Sequence, residues 1–352
     1  MLTDVLEDYK LTGGARIGIN LNSKDYFLKF NNYRRRTDWE LLYFHHGDQS
    51  LQEDITRIEP NFIVKNKLDY LQAKISYPFS ILKSIHFYAG IRYDRNETLS
   101  LEKVSLEKPV IKQLWAVNRF EFIYDNSMSS LINIRKGSRY KIFAEYQQKL
   151  TDDKKSFFNI GYDARKYSTV YKNIIFAHRL VGAHSIGSAK VIYKLGGIDN
   201  DLSPKQEANT VVDFSENYAF QAKATNLRGY RDGFLNGSSY LIFNEEFRLP
   251  IYNTFFKKNI KSGFIRNLQC VLFADLGSAW KGFYPTVDNV ISQSIYGSAD
   301  KGVLVYIDNT FAFGYGTGIR SKILGYFIRT DIAWRVNGGK RPMLHFSLAT
   351  DF

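Results

Sequence analysis

The sequence predicts an all-β fold, a transmembrane antiparallel β-barrel of about sixteen strands. Two observations carry that expectation. Apolar residues alternate with polar or small ones over segments of about ten residues, the length a tilted strand needs to cross a bilayer. In several of these segments one face holds bulky aromatic and aliphatic side chains, while the other holds charged or small ones. A soluble sandwich turns its large apolar residues inward and its charges to water, which leaves a soluble all-β fold as the alternative. The absence of any run of 18 apolar residues excludes a readable membrane helix, and a mean hydropathy of −0.30 suits strands that show lipid only one face.

The end of the chain shows the alternation best. Leu344, Phe346, Leu348, Thr350 and Phe352 share one face, opposite His345, Ser347, Ala349 and Asp351. Over 325–335, Tyr326, Ile328, Ile332 and Trp334 alternate with Phe327, Arg329, Asp331 and Arg335. Over 311–320, Phe311, Phe313, Tyr315 and Ile319 alternate with Ala312, Gly314, Gly316, Gly318 and Arg320. Further strands read at 14–21, 24–33, 37–46, 54–65, 67–79, 84–94, 113–126, 139–150, 155–167, 171–184, 238–250 and 267–280, which makes fifteen. Bacterial barrels carry an even number, so a sixteenth is expected, either within Leu2–Lys10 or ahead of the chain. With Phe352 on the periplasmic side, the longest connections (95–112, 185–237 and 281–308) all fall outside, where long loops belong. That parity places the strand-like 188–196 inside the 185–237 loop. One domain, 1–352, is expected, with 1–12 a first strand or a linker remnant.

Composition narrows the function classes. The net charge is +13, but Lys and Arg are interleaved with Asp and Glu throughout, with no basic helix or zinc-ligand spacing, so nucleic acid is not the expected partner. A polyanionic lipopolysaccharide surface would suit the charge equally. The single cysteine, Cys270, excludes a disulfide framework and reads as a small apolar strand residue. Met1–Asp8 lacks the basic start and apolar core of an export signal, so the chain is expected to be a fragment or a processed piece. No catalytic set is legible. There is no Gly-x-Ser-x-Gly elbow and no phosphate-binding glycine loop. His45-His46-Gly47-Asp48 reads as a solvated turn, and His178 with His184 as a lumen-lining pair. No enzyme activity, cofactor or metal is expected.

One ordered set of residues points further. The 185–237 loop contains Leu227-Arg228-Gly229-Tyr230; the next strand reads Glu245-Glu246-Phe247-Arg248-Leu249-Pro250; the one after it reads Asp275-Leu276-Gly277-Ser278-Ala279-Trp280. Parity alone puts Glu246 with Asn244 and Arg248, opposite Phe243 and Phe247, and Asp275 opposite Leu272 and Leu276, so both acids lie on the polar face. The set resembles the Omp85 (surface antigen D15) superfamily over about 190–352. Its sixth extracellular loop carries a Val-Arg-Gly-Phe/Tyr motif folded into the lumen, where the arginine meets acids of the next two strands. The resemblance implies that Arg228 pairs with Glu246 and Asp275, with Leu227 in place of the usual valine. Gly196-Gly197 matches a glycine pair often found upstream. Tyr124-Asp125-Asn126, followed by Arg135-Lys136-Gly137, loosely resembles a periplasmic turn of the family. The resemblance also implies a C-terminal β-signal, here including Leu348 and Phe352. It further implies residence in the outer membrane of a Gram-negative bacterium, with partners among its lipids and lipopolysaccharide, client proteins and periplasmic or outer-membrane proteins. The implied activity is insertion or translocation of other proteins, at a seam between first and last strands that opens toward lipid. Family insertases carry POTRA domains, and none is expected in this chain. The alternatives are a transport or ligand-binding pore, or a structural barrel anchoring another module.

Overall fold

The computed structural model describes residues 1–17, 23–52, 62–99, 109–151, 153–205, 218–224, 226–256, 260–285, 293–296, 303–306, 311–336, 341–348 and 350–352. The chain forms two compact units. The first comprises Met1–Phe122 and Phe143–Phe158, the second Ile123–Ile142 and Asn159–Phe352. In chain order the strands begin with β1 (Leu2–Thr3), β2 (Tyr9–Ile17), β3 (Ser23–Asn32), β4 (Asp38–Gln52), β5 (Phe62–Pro78), β6 (Lys83–Leu99) and β7 (Ile111–Asp125). They continue as β8 (Met128–Leu131), β9 (Ile134–Lys149), β10 (Ser156–Tyr171), β11 (Ile174–Gly187), β12 (Lys190–Leu195), β13 (Tyr218–Lys223), β14 (Leu235–Gly237) and β15 (Ser239–Pro250). Two short helices, α1 (Ile251–Phe255) and α2 (Gly263–Arg266), lead to β16 (Gln269–Trp280). β17 (Gln293–Tyr296), β18 (Val303–Tyr306), β19 (Ala312–Ile323), β20 (Tyr326–Arg335) and β21 (Met343–Leu348) complete the chain.

Sixteen strands belong to one sheet, ordered β1–β7, β9, β10, β11, β15, β16, β19, β20, β21, with β8 paired to β9. No helix among the described residues is long and apolar enough to cross a membrane. Two of the sixteen differ from the sequence expectation. Leu2–Thr3 is a two-residue strand paired to Lys10 and Leu11, so Leu2–Lys10 does not form a full first strand. The strand expected at 54–65 falls mostly on residues 53–61, which lie outside those described; from Phe62 the chain is in β5. The polar run Lys65-Asn66-Lys67 lies within β5. In the ladder it is compensated sideways, with Lys65 opposite Glu97 and the Asn66 amide donating to Asp48, so the strand continues through it. The count is completed instead by the four-residue β8.

In the first unit β2 to β6 pair in succession, and the β4–β5 ladder runs from Asp38↔Ser76 to Gln52↔Phe62. His45 and His46 lie inside β4, not in a turn. His45 Nδ1 is 2.7 Å from Asp69 Oδ1, and His46 Nδ1 is 2.5 Å from Asp25 Oδ1. Arg119 bridges Glu121 (2.7 Å) and Glu145 (2.8 Å), which are both buried.

In the second unit the alternation resolves into two chemically opposite faces. Leu272 (57% exposed), Phe243, Leu276, Ile319 and Leu344 project from the apolar face. Arg248, Arg320, Arg329, Glu246, Asp275 and Asp331 are buried on the other. Such an arrangement is inverted relative to a protein in water, where ionised side chains are almost never fully buried unless paired. It matches strands whose outer face meets hydrocarbon. The tight β19–β20 hairpin turns at Leu324-Gly325, both at positive φ, as two-residue hairpin loops require. The 188–238 and 281–311 connections leave the sheet at the same edge, since each joins two neighbouring antiparallel strands from their matching ends.

His178 and His184 depart from the sequence expectation. They alternate with buried Ala177, Arg179, Val181 and Ala183, which puts them on the apolar face beside Leu180. His178 pairs there with Glu245 (2.7 Å) and His184 with the Ser239 hydroxyl (2.5 Å). Cys270 is half-buried and free in β16. Leu276→Arg, near mid-strand on the apolar face, is expected to cost about 2–4 kcal/mol in a bilayer; equilibrium urea unfolding in lipid vesicles checks this, with Leu276→Phe expected near neutral.

Candidate functional site: a loop arginine on the polar face

The long 188–238 connection folds on itself before it meets the sheet. β12 pairs in parallel with β13 and antiparallel with β14, a small sheet separate from the main one. Behind β12, Gly196 and Gly197 adopt positive φ, and a Cβ at Gly196 would collide with the Arg231 carbonyl oxygen. Gly197 donates to the Tyr230 carbonyl (2.8 Å) and accepts from the Leu227 amide (3.1 Å). The glycine pair thus holds the 227–230 segment at both ends.

That segment seats on β15, β16, β19 and β20. Leu227 is fully buried over Gly277. Gly229 has φ +88°, and a Cβ there would lie 2.8 Å from the Trp334 carbonyl oxygen, so both conformation and space demand glycine. Gly314 is needed for the same spatial reason, because a side chain would strike the Arg228 carbonyl. The Tyr230 hydroxyl donates to the Phe313 carbonyl at 3.1 Å.

Arg228 is 0% exposed and fully engaged. Its backbone N–H donates to Asp275 Oδ2 (3.0 Å), Nε to the same oxygen (2.7 Å), Nη2 to Asp275 Oδ1 (2.8 Å) and Nη1 to Glu246 Oε1 (2.6 Å). The guanidinium carbon sits 3.7 Å from the Phe273 ring centroid, a cation–π contact in a desolvated setting. The Asn244 amide donates to Asp275 Oδ1 (2.7 Å) and to the Asn226 carbonyl (3.0 Å), tying the acid to the loop a second time. Burial opposes the charge on Arg228, but Asp275 and Glu246 outweigh it and hold the guanidinium protonated well above its ordinary range. A planar fork satisfied at two edges in this way is beyond a lysine.

The pairing extends beyond the residues singled out in sequence. Glu246 also accepts from Arg248 Nε (2.8 Å), and Arg248 reaches the carbonyls of Asn133 and Phe352. Asp351 lies between Arg320 (3.0 Å) and Arg329 (2.9 Å), and Arg320 also meets Asp331 at 2.6 Å. Four arginines (228, 248, 320, 329) therefore interleave with four carboxylates (Glu246, Asp275, Asp331, Asp351). Strand parity already put most of them on one face; what sequence did not show was that the loop and the chain end would complete the same network.

The chain end is where the structure departs most from expectation. Leu344, Phe346 and Leu348 stay exposed on the apolar face, but β21 stops at Leu348. Asp351 exchanges hydrogen bonds with the Asn133 side chain (2.8 Å each way). Phe352 is 8% exposed and packs with Ile134, Tyr167, Ile175 and Ala177, so it leaves the face of Leu348. Asp351 keeps the polar face that alternation gives it; Phe352 joins it there because Arg248 donates to the Phe352 carbonyl and lies over its ring at 5.0 Å. The loop also reaches the edge of β21, where Leu202 N–H donates to the Phe346 carbonyl (2.8 Å) and Asp201 accepts from His345 Nδ1 (3.1 Å). The turn resembling a family motif closes locally, with Ser138 N–H donating to Asn126 Oδ1 (2.6 Å) and Arg139 3.5 Å from Asp125. Among the described residues no group of His, Cys, Asp or Glu could hold a metal ion.

A family profile, the Omp85 superfamily domain, matches residues 12–352. The chain belongs to the Omp85 superfamily. No curated protein sequence matches it. Among solved structures, BamA from Haemophilus ducreyi, lacking POTRA domains 1–3, is 12% identical with a TM-score of 0.57, covering 92% of this chain and 61% of that one. CdiB from Escherichia coli is 9% identical with a TM-score of 0.56, covering 98% and 57%. CdiB from Acinetobacter baumannii is 10% identical with a TM-score of 0.54, covering 92% and 49%. The Omp85 chain described here therefore spans about half to three-fifths of the length of these structures, and at such identities the likeness shows a shared fold.

The buried acid at the chain end gives this Omp85 protein a pH signature. Burial raises the Asp351 pKa, but Arg320, Arg329 and Arg248 more than reverse it, leaving the carboxyl well below its ordinary value. A depressed folded-state pKa adds stability above the unfolded value of about 3.9 and loses it as pH falls toward the folded one. Asp351→Asn is expected to cost about 3–5 kcal/mol at pH 7 and about 1 kcal/mol less at pH 3, read from urea midpoints at both pH values.

Proposed function

We propose that this chain is an outer-membrane barrel domain of a Gram-negative bacterium that assists the insertion or translocation of other proteins, with the Arg228 loop fixing the barrel in its working shape. The observation that carries the proposal is the Arg228–Glu246–Asp275 cluster, seated by Gly229 and Gly314, within a family match that spans nearly the whole chain. Leu227, Arg228, Gly229 and Tyr230 form the lumen motif in this reading, and Leu348 and Phe352 the C-terminal signal read during assembly. Phe352 is then buried once the protein is folded. The family match runs through both compact units and supports one barrel domain. β21 offers only six ladder pairs to β20, against ten between β19 and β20, which suits a last strand that can be drawn aside. A strand edge exposed in lipid is costly, because its backbone groups find no water there, and a client strand would relieve that cost. Lipopolysaccharide, client barrels and other outer-membrane or periplasmic proteins are the proposed partners.

Purified protein in liposomes tests this. The chain is expected to accelerate folding of an unfolded outer-membrane barrel client, and Arg228→Ala is expected to lower that acceleration at least tenfold with the sheet still formed. Steady ion conductance unaffected by Arg228→Ala, with no client effect, would favour a pore; loss of stability alone would favour an anchoring barrel.

A further inference from the structure

β21 ends the strand order of the main sheet, and among the described residues β20 is its only neighbour in that sheet. Its other edge is nevertheless occupied. Part of the 188–238 connection lies along it: Asp201 faces Ser347 as an antiparallel partner, and Leu202 donates its N–H to the Phe346 carbonyl at 2.8 Å. That carbonyl therefore points away from β20. Backbone groups alternate in direction along an antiparallel strand, so Leu344 and Leu348 turn theirs to the same edge. This edge is where a further strand would pair, and two loop residues already hold its middle.

The two residues reproduce the chemistry of a barrel strand. Asp201 points to the polar face, where its carboxylate lies 3.1 Å from His345 Nδ1 and both side chains are nearly closed to water. Alternation then puts Leu202 on the apolar face opposite Phe346, and Leu202 is 55% exposed there. Its flanks stop the contact from lengthening. Asn200 has φ +54°, outside strand geometry. Ser203 turns its N–H to Asp201 Oδ1 (3.0 Å), and Pro204 has no N–H to give. The loop thus makes a two-residue contact with β21, against the six pairs that β20 makes.

Both ends of this segment are tied to the stretch that carries Arg228. The Asp199 N–H donates to Asn226 Oδ1 (2.7 Å), and the Asp232 N–H donates to the Lys205 carbonyl (2.9 Å). Asn226 is itself buried, and its carbonyl accepts from Asn244 beside Asp275. The buried arginine therefore fixes where the segment lies. The segment's own hold on β21 is slight, one backbone hydrogen bond and one His–Asp pair.

We propose that Asp201-Leu202 is an autoinhibitory strap, which keeps the strand place on β21 until a client strand takes it. An incoming extended segment replaces the Leu202 hydrogen bond with its own and sets a polar residue toward His345 and an apolar one beside Phe346. It also pairs with Leu344 and Leu348, so a full strand outcompetes the two-residue strap. The inference deepens the insertion reading given above and rests on it.

The test uses the full chain in liposomes with Cys270→Ser, so that the only thiols are introduced ones. Facing antiparallel residues lie about 4.5–5.5 Å apart at Cα, within disulfide reach. Asp201→Cys with Ser347→Cys is therefore expected to oxidise in most molecules, read by mass spectrometry after thiol alkylation. The oxidised form is expected to accelerate folding of a urea-unfolded outer-membrane barrel client at least fivefold less than the reduced form, with reductant restoring the rate. Leu202→Pro, which removes the N–H given to Phe346, is expected to raise the acceleration about threefold. In the double-cysteine protein it is expected to slow disulfide formation about tenfold. Failure of the cysteine pair to oxidise would overturn the placement of the strap. Equal acceleration by oxidised and reduced protein, or a Leu202→Pro rate no higher than wild type, would overturn its role. No acceleration by any form, with the disulfide still forming, would overturn the insertion reading and the strap's role with it.

Discussion

A guanidinium with no exposure to water has to be paired, and the pairing of Arg228 with Asp275 and Glu246 organises everything around it. The acids meet it only from the polar face of β15 and β16, and the register of that ladder is what sets them side by side. The loop can approach closely only because Gly314 presents no side chain and Gly229 can adopt φ +88°. Glu246 then hands the network on to Arg248, and Arg248 to the carbonyl of Phe352. Breaking the first contact would leave charges stranded in a space closed to solvent, and the cost would be felt at the chain end as well.

The apolar face answers to the opposite constraint. Large side chains such as Leu272 and Leu344 are exposed because their solvent is expected to be hydrocarbon, where exposure costs nothing. The exceptions on that face are therefore informative. His178 with Glu245, and His184 with the Ser239 hydroxyl, satisfy their polarity by pairing within that face.

Much of this was legible in the sequence, and the failures have particular causes. Period-two alternation located β15, β16, β19 and β20 to within a few residues and fixed the faces of Glu246 and Asp275, because a one-residue error would have reversed every side chain. Alternation failed at Phe352, where it predicted an outward residue but Arg248 holds the Phe352 carbonyl and ring on the polar face. It failed at His178 and His184, since histidine was read as polar and therefore inward, while parity with Arg179 places both outside. The Arg320–Asp331–Asp351 group was on the right face in sequence, yet its closure through Asn133 joins residues 218 positions apart, which no local pattern encodes.

The central claim is that Arg228 and Asp275 act as one buried unit that locks the loop to the sheet. The most direct measurement is a double-mutant cycle on Arg228→Ala and Asp275→Ala, read by urea unfolding and heat-modifiable gel mobility of the purified protein in a bilayer. Each single change is expected to cost about 3–5 kcal/mol, because each strands the other's charge. The double change is expected to cost no more than the larger single one. Additive costs, or two negligible ones, would show that the loop rests on the sheet without being held by this pair.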